Sequence, residues 1–247
     1  MNTKTQRLAS VALVCLLALL VSLPVFAQDY DVVRERISSL TNSAASPIIA
    51  ETPIDGLLQV RLGSEVVYMT DDARFLVQGR VLDLDTRVDL TDQAKAELRR
   101  EAIADIQHES LISFGPEDAD HELMVFTDVD CGFCRKLHHE MDQYNEAGIR
   151  IHYLAFPRAG VGSETFNKMQ SVWCAEDPNA AMDIAKDGDT PLPMSCDSPV
   201  MAQYELGQSL GVTGTPALVT HNGDLIPGYV PAADLRARLE LLQEAAD

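Results

Sequence analysis

Positive charge is what this sequence has least of: 19 lysines and arginines stand against 38 aspartates and glutamates among 247 residues. Binding to nucleic acid requires Lys and Arg to neutralise phosphates, so it is not expected as a partner, and anionic surfaces repel such a chain. Also lacking is any apolar run of the ~20 residues that a bilayer-spanning helix needs. The candidate, Val11 to Leu20, follows Lys4 and Arg7 and is closed by Pro24, with Val25-Phe26-Ala27 supplying a cleavage site. Residues 1–27 therefore read as a secretory signal peptide, and stable membrane insertion is not expected. Cys15 lies inside the run, is followed by further leucines rather than a cleavage junction, and leaves with the peptide. Its removal takes two bases and no acid, leaving 17 against 38 and a net charge of about −21. Internal repeats and low-complexity tracts are missing too, and the 220 residues left after taking 27 from 247 suffice for two small domains.

Cysteine is the next scarcity. Four remain after export, Cys131, Cys134, Cys174 and Cys196, and four cysteines allow three pairings. Outside the cytosol disulfides persist, which shifts the reading of such residues away from metal ligation. The first two stand in "TDVDCGFCRK", behind the apolar residues Leu123, Met124, Val125 and Phe126. A zinc site would need four ligands. Here there is no second close pair, the other cysteines are 22 residues apart, and no histidine stands at ligand spacing, so no metal is expected. A structural bridge over so short a loop would remove little chain entropy. Redox chemistry is the reading that remains. At a helix start after a buried strand, unpaired backbone N–H groups and the positive end of the helix dipole stabilise a thiolate. Cys131 is expected on the exposed side of the turn as the attacking thiol, with Cys134 further in as the resolving thiol.

The texture of the chain changes near residue 90. Val33, Ile37 and Leu40 have helical spacing, and "LLQVRL", "EVVYMT" and "FLVQGRVLDL" read as antiparallel strands separated by Gly63 and Asp71-Asp72. "LTDQAKAELRREAIADIQHES" reads as an exposed connecting helix with Thr91 or Asp92 as its cap and a narrow stripe of Leu98, Ala102 and Ile106. From Glu122 the order is strand, CxxC, helix, strand, helices, strand, hairpin, helix, the alternation of an α/β domain. Leu137, Met141 and Tyr144 mark the inward face of the helix after the cysteines, and residues 149–156 the next strand. Asp177-Pro178 and Ser198-Pro199 read as helix starts, "HNGD" as a hairpin turn, and Leu235, Leu239 and Leu242 as a closing amphipathic helix.

The segments "VFTDVDCGFCRKLH", "IRIHYLAFPRAG", "WCAEDPNAA", "SCDSP" and "LGVTGTPALVTHNGDLIPGY" resemble, in order and spacing, the bacterial periplasmic disulfide isomerases of the DsbC family. The likeness spans essentially the whole mature chain, densely from residue 122 and more loosely before residue 90, where "VVYMTDDARFLVQGRVLDL" still fits. It implies an α+β protein: a small N-terminal α+β dimerisation domain (28–88), a linker helix (89–116) and a thioredoxin-fold catalytic domain with a helical insertion (117–247). The arrangement would be a V-shaped homodimer in the periplasm. The resemblance further implies that Thr215 and Pro216 form a cis-proline loop facing the CxxC and pairing with extended substrate, and that Cys174 and Cys196 form a structural disulfide. No cofactor is implied. The implied partners are misfolded disulfide-containing exported proteins and, as electron donor, the membrane reductase DsbD.

Some residues depart from relatives. Gly132-Phe133 stands where DsbC proteins usually have Gly-Tyr and the strong oxidant DsbA has Pro-His, so one source of thiolate stabilisation is missing and a milder oxidant is expected. Val125, six before Cys131, stands where thioredoxin has a buried aspartate, and neither Asp128 nor Asp130 follows as its replacement. Trp173 is expected in the core, and His138 and His139 on the surface. Alternatives are a DsbG-type reductase of oxidised single cysteines, whose motif usually carries Pro-Tyr, a holdase chaperone, and a DsbA-like oxidase.

Overall fold

The computed structural model describes residues 30–41, 46–63 and 65–244, so the expected signal peptide and Cys15 lie outside the described residues. Helix α1 (Asp31–Leu40) buries Val33 and Ile37, four apart on one face, while Leu40 ends up exposed. A four-stranded antiparallel sheet follows in the order β1 (Ile48–Glu51), β2 (Leu57–Leu62), β3 (Glu65–Thr70) and β4 (Leu76–Val77). The register pairs Leu58 with Met69 and Val60 with Val67, and these four close over Val33 and Ile37. The intervening residues Val66 and Tyr68 point to the opposite face, as the two-residue period of a strand requires. Strand β1 had no signal in the sequence beyond a pair of isoleucines. Of the stretch expected as a strand from Phe75 to Leu84, only Leu76–Val77 joins the sheet.

Helix α2 (Leu90–Ala104) is capped by Asp89, which accepts the Asp92 N–H at 2.9 Å. Thr91, an expected cap, is buried instead, its hydroxyl between Tyr68 Oη and the Val81 N–H. Nor is this helix simply an exposed connector. Ala94 packs on Val66 and Tyr68 of the first sheet, while Ile103 joins a core with Phe126 and Val219 of the second. Arg99, 3% exposed, donates through Nε to the Gly223 carbonyl. The approach is close enough that a Cβ on Gly223 would overlap the Ala96 carbonyl, and Gly223 holds a positive φ of 86°.

After a 3-10 turn (His108–Ser110), the end of the expected linker becomes β5 (Ile112–Phe114), an edge strand of a second sheet. This sheet has the order β5-β7-β6-β8-β9, with β6 (His121–Thr127), β7 (Ile149–Ala155), β8 (Ala217–Thr220) and β9 (Leu225–Pro227). Only β6 and β7 run parallel. Around it lie α3 (Gly132–His139), α4 (Met141–Glu146), α5 (Glu164–Trp173), α6 (Pro178–Asp187), α7 (Val200–Ser209) and α8 (Ala232–Glu244). Leu137, Met141 and Tyr144 are all buried, although the single helix expected there breaks at Glu140. Asp177 caps α6 with Pro178 in its first turn; at Ser198-Pro199 the helix starts one residue late, with Pro199 as an N-cap that makes no side-chain bond. Leu235 and Leu239 anchor α8, and Trp173 is in the core with Nε1 donating to the Ser110 carbonyl.

Candidate active site

The parallel strand β6 ends at Thr127, and the chain turns sharply before α3. Asp128 directs that turn: its Oδ1 accepts the Asp130 N–H at 2.7 Å and its carbonyl accepts the Cys131 N–H at 3.2 Å. Cys131 thereby becomes the N-cap of α3, with an extended backbone (φ −88°, ψ 121°). Three residues on, Cys134 faces inward at 1% exposure, whereas Phe133 between them is 63% exposed. Both thiols are free.

Cys131 is not on the exposed side of the turn, as the sequence suggested, but only 3% exposed. The loop before β8 covers it: Cys131 Sγ lies 3.2 Å from the Thr215 carbonyl oxygen, to which its thiol form donates, across 84 residues of sequence. The Thr215-Pro216 peptide bond is cis. Thr215 Oγ1 is buried beside the two sulfurs and has no other hydrogen-bond partner among the described residues.

Two sulfurs of nearly equal surface exposure have opposite acidities. Cys131 is held down, from 9.0 to about 5. The main cause is the Cys134 thiol, which donates to its sulfur; burial opposes this, and the Thr215 hydroxyl, the Cys134 backbone N–H and the Arg158 guanidinium add to the lowering. Cys134 is pushed up, first by burial and then by keeping the proton it shares with Cys131, while Lys186 and Thr215 act in the other direction. One sulfur thus favours the thiolate and its neighbour the thiol.

Two charged residues that sequence reasoning missed stand beside this pair. Arg158 donates through its backbone N–H and its Nε to Asp128 Oδ2, both at 2.9 Å, in the loop after β7. Lys186 of α6 is 0% exposed, with Nζ donating to Thr127 Oγ1 at 2.5 Å and to the Asp128 carbonyl at 3.2 Å. Its position, four residues after the buried Met182 and so on the same helical face, was the available signal. Asp130 is occupied by Thr165, Lys168 and Arg135, and Val125 is plain core at 0% exposure.

His138 corrects another expectation: it is buried, with Nδ1 against Tyr153 Oη at 3.2 Å and Nε2 against Asp183 at 2.9 Å, and burial lowers its pKa. It follows Leu137 on a helix enclosed by α6 and β7. His139 is exposed and paired with Asp187. Cys174, at the C-cap of α5, is bonded to Cys196, with Cα atoms 5.6 Å apart. The exposed Phe133 ring stacks on Tyr229 at 6.3 Å, and Lys136 Nζ lies 4.3 Å from the same Tyr229 ring. Among the described residues no group of three or more His, Cys, Asp or Glu is arranged to hold a metal, and no helix is long and apolar enough to cross a membrane.

Residues 109–243 match the thioredoxin-like domain family, and residues 25–92 match the disulfide bond isomerase protein N-terminal domain. The thiol:disulfide interchange protein DsbC of Escherichia coli K12 is 36% identical over 225 residues, covering 91% of this chain and 94% of that protein. Those of Dickeya dadantii and Salmonella typhimurium LT2 are 37% and 38% identical over 214 residues, each covering 86% of this chain and 87% of the relative. Identity at this level over nearly the whole length, joined to a thioredoxin-like domain that carries a CxxC at a helix start, places the chain in the DsbC family of thiol:disulfide interchange proteins.

Proposed function

We propose that this protein is a periplasmic thiol-disulfide isomerase and reductase that rearranges non-native disulfides in exported proteins, with Cys131 as nucleophile and Cys134 as resolving thiol. The observation that carries the reading is the split acidity of the two sulfurs, one lowered to about 5 and its neighbour raised. At neutral pH Cys131 is therefore mainly thiolate. It attacks one sulfur of a substrate disulfide, forming a mixed disulfide and expelling a substrate thiolate. If a substrate thiol then attacks Cys131, the substrate leaves with a new pairing; if Cys134 attacks, the substrate leaves reduced and Cys131-Cys134 becomes a disulfide. Thr215 and Pro216 serve as the substrate loop, since the Thr215 backbone lies directly against the reacting sulfur. The oxidised pair then needs two electrons, for which the membrane reductase DsbD is the donor by family resemblance.

In this reading residues 28–88 are the dimerisation domain, 89–116 the linker and 117–247 the catalytic domain with its helical insertion, held by the Cys174-Cys196 bridge. The homodimer is supported by the edge of the first sheet. There Phe75, Leu76 and Val77 are 57%, 46% and 48% exposed, and Leu82 and Leu84 nearby are 51% and 79% exposed. A short apolar edge of this kind favours pairing with a second copy. Periplasmic location rests on the signal peptide. The experiment is to replace Cys134 with alanine and identify proteins joined to Cys131: exported proteins with several cysteines are expected, and an empty trap would sink the isomerase reading.

A further inference from the structure

We propose that Lys186 is the positioning residue for the resolving step: its buried ammonium supplies the positive charge against which Cys134 ionises to attack the mixed disulfide. The inference rests on the thiol-disulfide exchange proposed above and goes beyond it by naming how a deeply buried thiol becomes a nucleophile.

The need for such a group follows from Cys134 itself. At 1% exposure it cannot ionise into solvent, and Val125, buried on β6, offers no proton acceptor. Asp128 is close but engaged, Oδ1 by the Asp130 N–H and Oδ2 by two Arg158 donors. Lys186 is different. Its ammonium has 0% exposure and, among the described residues, no carboxylate bonded to it; its hydrogen bonds go to neutral oxygens, Thr127 Oγ1 and the Asp128 carbonyl. The same Asp128 carbonyl accepts the Cys131 N–H, so one oxygen links the lysine to the first residue of the motif. A buried ammonium without a bonded counterion is expensive, and a fold that retains one gains something else from it.

The groups facing Lys186 are Cys134, Cys131, Arg135 and His138 from the α3 side, Asp128 from the turn after β6, and Tyr153, whose ring centroid lies 5.2 Å from Nζ, from β7. Burial lowers the Lys186 pKa to about 8, and of the groups resisting that shift Cys134 is the strongest. The influence is mutual, since Lys186 is also the leading influence that lowers Cys134. Resolution then balances as follows. Cys134 gives its proton to the Lys186 amine or, where the lysine is already protonated, to solvent; its thiolate bonds to Cys131 Sγ, the bond from Cys131 to the substrate sulfur breaks, and the departing substrate thiolate takes up a proton. The reactive arrangement, ammonium beside thiolate, holds as many protons as neutral amine beside thiol. Its population therefore rises with pH only up to the lysine's own titration and then levels off.

The reaction of reduced full-length protein with 5,5′-dithiobis(2-nitrobenzoate) separates the two steps. The first, bimolecular release of thionitrobenzoate reports Cys131; the second, concentration-independent release reports attack by Cys134. In the unaltered protein the second phase should rise with pH and level off near 8. Lys186→Met, of similar length and without charge, should slow that phase at pH 7 by about tenfold or more and abolish the plateau, leaving the first phase within about threefold. Lys186→Arg, which stays protonated, should retain a fast second phase that keeps rising past pH 9. It also serves as the test if the methionine variant lacks native circular dichroism. A second phase with unchanged rate and pH profile in the methionine variant, or a plateau surviving in the arginine variant, overturns the proposal. Loss of the first phase in the unaltered protein would instead overturn the role given to Cys131.

Discussion

The chain uses cysteine twice, in opposite ways. Cys174 and Cys196, 22 residues apart, are bonded and tie the end of α5 to the segment before α7. Cys131 and Cys134 are separated by two residues and stand as free thiols of divided acidity. Surface exposure hardly distinguishes the members of the second pair, at 3% and 1%. Depth and direction divide them: burial is the leading cause that raises Cys134, whereas hydrogen bonds and charges converge on the sulfur of Cys131 and outweigh its burial. The lesson is that a closed bridge works through the chain length it constrains, and an open pair through the groups aimed at one atom.

That contrast can be broken most severely at Cys131. Cys131→Ala should reduce refolding of a scrambled multi-disulfide substrate to the uncatalysed rate; continued suppression of aggregation alone would mark a holdase function. Next comes the closed pair. Replacing both Cys174 and Cys196 with serine should lower unfolding stability in urea by about 3 kcal/mol, from the entropy of a loop of 22 residues, and leave the Cys131 alkylation midpoint where it was. A moved midpoint would show that the two pairs are coupled.

Smaller changes sharpen the open pair. Alkylation of reduced protein should follow the Cys131 thiolate, falling off as pH drops through about 5. Thr215→Val removes the buried hydroxyl beside the sulfurs, one of the groups that lower Cys131, and should raise that midpoint by about 1 pH unit, the worth of one hydrogen bond to a charged group. Arg158→Met, removing the last of the groups that lower Cys131, should raise it by less. The same lowered pKa links to folding. Because the folded value lies below the unfolded 9.0, reduced protein gains stability from Cys131 that is fully present above pH 9 and lost as pH falls through about 5. Chemical denaturation of reduced protein and of Cys131→Ala across this range should show the difference shrinking toward acid.

Much of the second sheet was legible because its signals are local. Leu123 to Phe126 reads as a buried strand from composition, Asp177-Pro178 as a helix start from capping chemistry, and "HNGD" as a turn from its glycine. Less local features were not. Strand β5, three residues long, exists only because β7 offers it an edge. Thr91 reads as a cap until Tyr68 and Val81 take its hydroxyl, leaving Asp89 to cap α2. His138 reads as a surface residue on a polar stretch until α6 closes over it with Asp183.

By itself the sequence determined the chemistry available and where along the chain it sits: two thiols at a helix start, a second pair far enough apart to close a long loop, and a Thr-Pro step before the last hairpin. Those are matters of residue type and spacing, which short-range backbone preferences translate directly. Tertiary structure alone decided how each thiol behaves. Cys131 is covered by a carbonyl 84 residues away, and the ammonium nearest in influence to Cys134 arrives on a different helix. Acidity depends on distance and desolvation through space, and neither is written in the order of residues.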